Sequence, residues 1–206
     1  MEKSMSKTQH ITFLGVLSAI IILMAFTPLG YLRTAGLEIT FIVLPVAIGA
    51  VILKPLDSAI LGGVFGITSF IQCFGMSAFG ATLLSINWFL TFIVCFVPRV
   101  LAGWLGGLIF SALGKIDKTK FVSYVVTCLA VPVLNTLFFM SALVICFFNT
   151  EFIQGLMSAL GASNVFGFVI AFVGINGLVE AIVCFIAGTA ISKALAVAMK
   201  RIMVRA

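Results

Sequence analysis

The sequence FLTFIVCFVPRVLAGWLGGLIF, residues 89–110, contains one charged residue, Arg99, in an otherwise apolar run. A lone cation in the middle of a bilayer costs roughly 2.5–3.5 kcal/mol on insertion scales. Arg99 therefore needs an anionic partner, which is either another side chain or a ligand. The internal candidate is Glu180, which lies in the last apolar run of the chain.

The composition is that of a polytopic membrane protein. Of the 206 residues, 63% are hydrophobic and 9% are charged, whereas soluble domains contain about 25% charged residues. The net charge of +6 does not indicate nucleic-acid binding, because the Lys and Arg residues lie at the ends of apolar runs. The five cysteines are scattered singly and the only histidine is His10. We therefore expect neither a metal site nor a cofactor.

Six apolar runs predict an all-α integral membrane protein with a single transmembrane domain over residues 1–206. The predicted helices cover approximately residues 11–31, 38–53, 58–74, 83–113, 121–148 and 165–197. Six spans place both termini on one side of the membrane. The termini and the loops 54–57 and 115–120 carry ten Lys and Arg residues, whereas the three opposite loops carry Arg33 alone. The positive-inside rule then predicts cytosolic termini and three outward loops, at 32–37, 75–85 and 149–164.

Polar side chains concentrate in the outward half of the predicted helices. Arg99 and Glu180 lie at similar depths in two inward-running helices, so an ion pair between them is geometrically allowed. Asn176 lies one turn from Glu180 on the same helical face. The pattern predicts a pocket that is open to the outside and lined by Gln72, Asn87, Trp88, Phe92, Arg99, Asn135, Asn176 and Glu180. The expected ligand is a small acid with hydrogen-bonding groups and an apolar part.

Each of these residues also has a purely structural interpretation. Arg99 and Glu180 can form a pair that only joins two helices. The asparagines within the helices can serve as interhelical hydrogen-bonding groups, and Trp88 can lie in an interfacial aromatic belt. Gln72 and Asn87 can be solvated loop ends.

Small residues spaced four apart let helix backbones approach closely. Such pairs occur on the first, third and fourth predicted helices, at Gly15/Ala19, Gly62/Gly66 and Gly103/Gly107. We expect the last two pairs to pack within the chain. The first helix has almost no polar group after Ser18, so its pair predicts a docking surface for another protein.

With these features, the chain resembles the S components of energy-coupling factor (ECF) vitamin transporters. The most specific stretch is EITFIVLPVAIGAVILKPLDSAILGGVFG, residues 38–66, which is similar to a pattern of the pantothenate-type branch. The segment PRVLAGWLGGLI, residues 98–109, and the spacing of Asn176 and Glu180 are also similar to that branch. Two positions depart from the family pattern: Gly15 replaces the usual Ala, and Lys54 precedes Pro55 where Gly is usual.

The resemblance implies a non-catalytic transport subunit in a prokaryotic plasma membrane. An S component binds its vitamin from outside and docks on a transmembrane T component that is coupled to two ATPase subunits. It then topples in the membrane and releases the vitamin to the cytosol. Gly15 and Ala19 would lie at the centre of the docking face. Pantothenate is the expected vitamin, because its carboxylate would pair with Arg99 and its amide and hydroxyl groups with the neighbouring amides.

The sequence leaves other functions open. The ligand can be another vitamin or precursor, such as hydroxymethylpyrimidine, thiazole, riboflavin or folate, and a neutral ligand is favoured if Glu180 neutralises Arg99. A stand-alone facilitator would need no ATPase partner, but the sequence shows no inverted repeat. An intramembrane enzyme would have Glu180 as its only candidate base. A purely structural membrane subunit would hold Arg99 and Glu180 as a dry pair with no pocket above it.

Overall fold

A computed structural model of the protein describes residues 6–34, 37–117 and 121–205. In this part of the chain the protein is a helical bundle with one antiparallel two-stranded hairpin. The hairpin strands are β1 (Tyr31–Thr34) and β2 (Leu37–Thr40), and a 3-10 turn, Pro28–Gly30, precedes them. The α-helices are α1 (Lys7–Ala25), α2 (Val43–Ile52), α3 (Pro55–Gln72), α4 (Ala78–Ile86), α5 (Trp88–Leu113), α6 (Phe121–Phe147), α7 (Glu151–Ala159), α8 (Val165–Val183) and α9 (Thr189–Arg205). A π-helical turn, Cys184–Gly188, joins α8 to α9.

The first helix begins and ends earlier than the predicted range 11–31. Ser6 and Gln9 form a reciprocal capping box at its start, which satisfies two helix-terminal donors. It ends at Ala25 because a residue that precedes proline, here Thr27, disfavours the helical conformation. The chain then enters the hairpin, in which Tyr31 pairs with Thr40. The predominantly helical structure agrees with the predicted all-α class, but the hairpin occupies the predicted loop at 32–37, and the second helix begins at Val43 instead of residue 38.

The predicted fourth helix, 83–113, is two helices that meet at Asn87. Asn87 has an extended backbone, with φ −158° and ψ 107°, and its side chain accepts hydrogen bonds from Phe89 N and Leu90 N. It therefore ends α4 and caps α5. The predicted loops 75–85 and 149–164 contain most of α4 and all of α7. By contrast, α6 covers 121–147, within one residue of its predicted range.

Helices α3 and α5 pack antiparallel through their glycines. A methyl group added at Gly62 would overlap the carbonyl oxygen of Arg99, and one added at Gly66 would lie 2.8 Å from Phe96 Cα. Gly103 and Gly107 face the first turn of α3 in the same way. The prediction that these two pairs pack within the chain is confirmed.

The α2 helix lies at the centre of the bundle, because eight of its ten residues are buried. It belongs to an apolar cluster with the buried face of α1 and with Leu61 and Phe65 of α3. A second cluster, which includes Val94, Leu143 and Phe168, joins α5, α6 and α8 with the short helices α4 and α7. The bundle thus has two apolar cores.

Four helical stretches among the described residues are long and apolar enough to cross a membrane: Lys7–Ala25, Trp88–Leu113, Phe121–Phe147 and Asn176–Ala198. Two shorter apolar helices are Val43–Ile52 and Val165–Gly174. The length of α2, about 15 Å at 1.5 Å per residue, is half of the hydrocarbon thickness of about 30 Å. Of the residues used for the charge count, Lys3, Lys118 and Lys120 lie outside the described residues, as do the side chains of Arg33, Lys200, Arg201 and Arg205.

Candidate functional site

A cavity of about 500 Å³ opens between the two apolar cores. Both cores contribute to its lining: Phe65 belongs to the first core, and Leu83 and Val94 belong to the second. The end of α3 and the first half of α5 line the cavity, and Thr40 of the hairpin and the start of α4 contribute to its wall. Its volume is in the range of small-molecule sites, about 300–1,000 Å³.

Arg99 reaches the cavity from α5 and is 9% exposed. Its guanidinium lies over the ring of Phe139 at 4.6 Å from the centroid and over Phe65 at 5.4 Å. Arg99 Nη1 also donates a hydrogen bond of 2.7 Å to the carbonyl oxygen of Val94. In a regular helix the N–H of residue 98 would donate to that carbonyl oxygen, but Pro98 has no N–H. The Val94 oxygen is therefore free to accept from Arg99.

Glu180 lines the same cavity from α8 and is 7% exposed. Its Oε1 accepts a hydrogen bond of 3.2 Å from the backbone N–H of Thr40, the last residue of β2. The carboxylate thereby ties the hairpin to α8. Arg99 lies close enough to attract the Glu180 carboxylate electrostatically. A direct ion pair between them stays a prediction.

Three of the predicted amide side chains also line the cavity. Asn135 of α6 is 7% exposed and Gln72 of α3 is 6% exposed, while Asn176 of α8 is half-buried. Gln72 Nε2 donates a hydrogen bond to the carbonyl oxygen of Ala25, where α1 ends. The Oδ1 atoms of Asn135 and Asn176 accept no hydrogen bond from the described residues. Two buried amide oxygens are thus available to donors on a ligand.

Asn87, Trp88 and Phe92 do not line the cavity. The Asn87 side chain is engaged as the cap of α5. Trp88 is 67% exposed, because the cap makes it the first residue of α5, on the outside of the bundle. Phe92 packs against Phe70 of α3 and Phe96 of α5. Nothing in this arrangement supports their predicted contact with a ligand.

The cavity also has lining residues that were not predicted. Phe139 lies one turn after Asn135 on α6, and Phe172 lies one turn before Asn176 on α8. Helical spacing from the two asparagines would have identified both. The contributions of Ser77, Phe79 and Thr40 come from α4 and the hairpin, for which the sequence gives no comparable signal.

The lining combines aromatic walls with a cation, an anion and amides. Such a set suits an organic ligand with a carboxylate or another polar head, donor groups and an apolar body. Among the described residues there is no group of three or more His, Cys, Asp or Glu side chains that would hold a metal ion.

The predicted docking pair, Gly15 and Ala19, does not line the cavity. Gly15 and Ala19 are exposed, and a methyl group added at Gly15 would meet no atom within 4 Å. The buried face of α1 is formed by Leu17, Ile21 and Ala25. The small-residue face of α1 is therefore directed away from its own chain.

Comparison with known proteins identifies the family. A search among proteins of curated function finds no match. The family described as "ECF transporter, substrate-specific component" matches residues 9–192 of the chain. This match covers α1 from residue 9, the whole of α2 to α8, and all residues that line the cavity. The chain is a member of the family of substrate-specific components of ECF transporters, which are membrane-embedded, vitamin-binding transport subunits.

Proposed function

We propose that this S component binds pantothenate in the cavity between the two apolar cores. The observation that carries the proposal is the position of Arg99. Its guanidinium is 9% exposed, lies against Phe139, and is held by a hydrogen bond to Val94 within a cavity of ligand size. A buried, oriented guanidinium is suited to a carboxylate, which it binds through paired hydrogen bonds.

The remaining groups of pantothenate match the rest of the lining. The amide N–H and the hydroxyl groups of the vitamin would donate to the side-chain oxygens of Asn135 and Asn176, which accept no hydrogen bond from the described residues. Its gem-dimethyl carbon would pack against the aromatic wall that Phe139 and Phe172 form. Gln72 would complete the polar contacts from α3.

A neutral vitamin precursor is the second candidate, and Glu180 is the observation that favours it. The carboxylate of Glu180 lines the same cavity and is within electrostatic reach of Arg99. If the two charges neutralise each other, the site favours a ligand without net charge, such as a pyrimidine or thiazole. The Thr40 N–H holds Glu180, which supports instead a role in orienting the hairpin and tuning Arg99.

We also propose a membrane topology of six spans with cytosolic termini. The charge asymmetry of the sequence supports it, because ten Lys and Arg residues lie on one side and Arg33 on the other. In this orientation the cavity would face outward, with α4 and α7 contributing to its lining. After docking on a T component with two ATPase subunits, the S component would release the vitamin to the cytosol.

The first test is mass spectrometry of small molecules released from the purified chain, followed by calorimetric titration with pantothenate. Nanomolar binding is the expected result. A matched control is Trp88→Phe, which changes an aromatic residue outside the cavity lining and should leave the affinity unchanged. Release of a different vitamin, together with no pantothenate binding, would discard the proposed substrate but retain the cavity. Neither ligand nor binding in a well-folded sample would favour a structural subunit.

A further inference from the structure

Two cysteines from different helices meet in the wall of the cavity. Cys73 follows the last residue of α3 and Cys95 lies in α5, and their sulfur atoms are 3.8 Å apart. Cys73 is 4% exposed and Cys95 is 6% exposed. Both line the cavity. The pair therefore forms the point at which the end of α3 touches the first half of α5 beside the ligand space.

The surroundings limit access to this pair. Cys73 Sγ donates a hydrogen bond of 3.4 Å to the carbonyl oxygen of Ser69. On another side lies the start of α4, where a methyl group added at Gly80 would be 2.6 Å from Cys73 Sγ. Arg99 lies one turn after Cys95 and lines the same wall. A reagent therefore reaches the sulfur atoms through the cavity.

We propose that Cys73 and Cys95 are a redox-active dithiol, a modification site that a two-electron oxidant of the peroxide class converts to a disulfide. This proposal concerns the cavity wall and holds whichever ligand the cavity binds. A pair of buried thiols whose sulfur atoms are in contact differs from a single buried cysteine, which behaves as a small hydrophobic residue.

The chemistry balances with hydrogen peroxide as the oxidant. One cysteine sulfur, after loss of its proton, attacks a peroxide oxygen, the O–O bond breaks, and a sulfenic acid and one water form. The second sulfur then attacks the sulfenic sulfur, the S–S bond forms, and the S–O bond breaks to release a second water. The two thiols together lose two electrons and two protons, and the peroxide is reduced to two waters.

The geometry requires only a small movement. A disulfide bond is about 2.05 Å long, so the sulfur atoms must approach by about 1.8 Å from their separation of 3.8 Å. Helix α3 is packed closely on α5 near Cys95, because an added methyl group at Gly66, two turns before Cys73, would lie 3.1 Å from the carbonyl oxygen of Cys95. The bond would fix the end of α3 to α5 and alter the part of the cavity wall that these two residues form.

The experiment uses the full chain in lipid nanodiscs, fully reduced and without added vitamin, and exposes it to hydrogen peroxide. We expect two thiols to disappear, the intact mass to fall by about 2 Da as two hydrogens are lost, and peptide mapping to place the bond between Cys73 and Cys95. Cys146→Ser is the matched control, because Cys146 is a half-buried thiol on α6 that does not line the cavity, and it should leave the result unchanged. Cys95→Ser should prevent the disulfide.

A second measurement needs no variant and is independent of whether Cys95→Ser folds. Phenylarsine oxide, a trivalent arsenical that bridges two neighbouring thiols, should remove two thiols per equivalent from the reduced chain. Oxidation to separate sulfinic acids without a disulfide, or a disulfide that persists in Cys95→Ser, would overturn the proposal. So would failure of the arsenical to bridge in folded protein. None of these readouts depends on vitamin binding, so a failed pantothenate titration leaves the proposal standing.

Discussion

Arg99 Nη1 donates a hydrogen bond of 2.7 Å to the carbonyl oxygen of Val94, five residues earlier in the same helix. In a regular helix this oxygen would accept from the N–H of residue 98. That residue is Pro98, which has no N–H. Pro98 therefore leaves the Val94 oxygen without its helical donor, and the hydrogen bond from Arg99 to this oxygen fixes the direction of the guanidinium.

We predict that Pro98→Ala weakens ligand binding while the helix becomes more regular. The restored N–H would compete with Arg99 for the Val94 oxygen, and a hydrogen bond to a charged group contributes about 1.5–3 kcal/mol. The dissociation constant should rise at least about tenfold, with an unchanged or higher unfolding midpoint. Calorimetry and thermal unfolding in the same detergent measure the two effects. Equal affinities in the two proteins would show that Val94 does not position the guanidinium.

Arg99→Ala should abolish ligand binding and leave a folded protein. The variant removes the cation that a ligand carboxylate would contact, and loss of such a charge-assisted pair costs about 2–5 kcal/mol. Arg99→Lys should also bind weakly, because a lysine ammonium cannot form the paired contacts of a guanidinium. Titration and circular dichroism give the two readouts. Undiminished affinity in Arg99→Ala would remove Arg99 from the site.

The sequence predicted the long helices and part of the site because both depend on local periodicity. Apolar runs indicated α5 and α6, and helical depth placed Arg99 and Glu180 at one level, where the structure has them lining one cavity. Helical spacing failed for Trp88, because the cap at Asn87 starts a new helix there. The helical spacing placed Trp88 on the same face as Arg99, but Trp88 does not line the cavity.

The rest of the cavity depends on non-local contacts. The hairpin forms because β1 finds its partner in β2 and because Glu180, 140 residues away, accepts from Thr40. The sequence around Thr40 does not indicate that Glu180 accepts its hydrogen bond. Helix α4 escaped prediction because a segment without charges has no polar face to contrast with an apolar one. The sulfur contact of Cys73 and Cys95 likewise required the packing of α3 on α5.

Glu180→Gln should distinguish an acidic ligand from a neutral one. Glutamine retains an oxygen that can accept from the Thr40 N–H, so the hairpin contact is preserved while the charge is removed. The substitution removes a negative charge from the cavity lining and with it the repulsion of a ligand carboxylate, an effect on the order of 1–2 kcal/mol in a partly buried site. Pantothenate should therefore bind about tenfold more tightly to the variant, whereas a neutral precursor should not gain. Weaker pantothenate binding in a folded variant would contradict this prediction and indicate that the Glu180 charge supports binding by orienting Arg99.

Gly103→Ala should destabilise the contact between α3 and α5. An added methyl group would overlap the carbonyl oxygen of Ser58, and overpacking of this kind costs about 1–3 kcal/mol. The control is Gly155→Ala on α7, where no atom lies within 4 Å of the added methyl group and helix propensity should give about 0.5–1 kcal/mol of stabilisation. Unfolding midpoints in one detergent compare the two. A stable Gly103→Ala protein would mean that α3 shifts easily on α5.

Gly15→Leu should leave vitamin binding intact and stop transport by the assembled complex. Gly15 is exposed on α1, no atom lies within 4 Å of its added methyl group, and α1 contributes no residue to the cavity lining. A leucine there projects outward and would separate the backbones of α1 and a partner helix, which small residues allow to approach closely. The matched control is Gly155→Leu, which makes the same change at another open position, on α7. Vitamin uptake into proteoliposomes that contain the T component and both ATPases, compared with calorimetric binding, separates docking from recognition. Wild-type uptake by Gly15→Leu would refute α1 as the docking face, and loss of binding would show that the substitution acts on the fold instead.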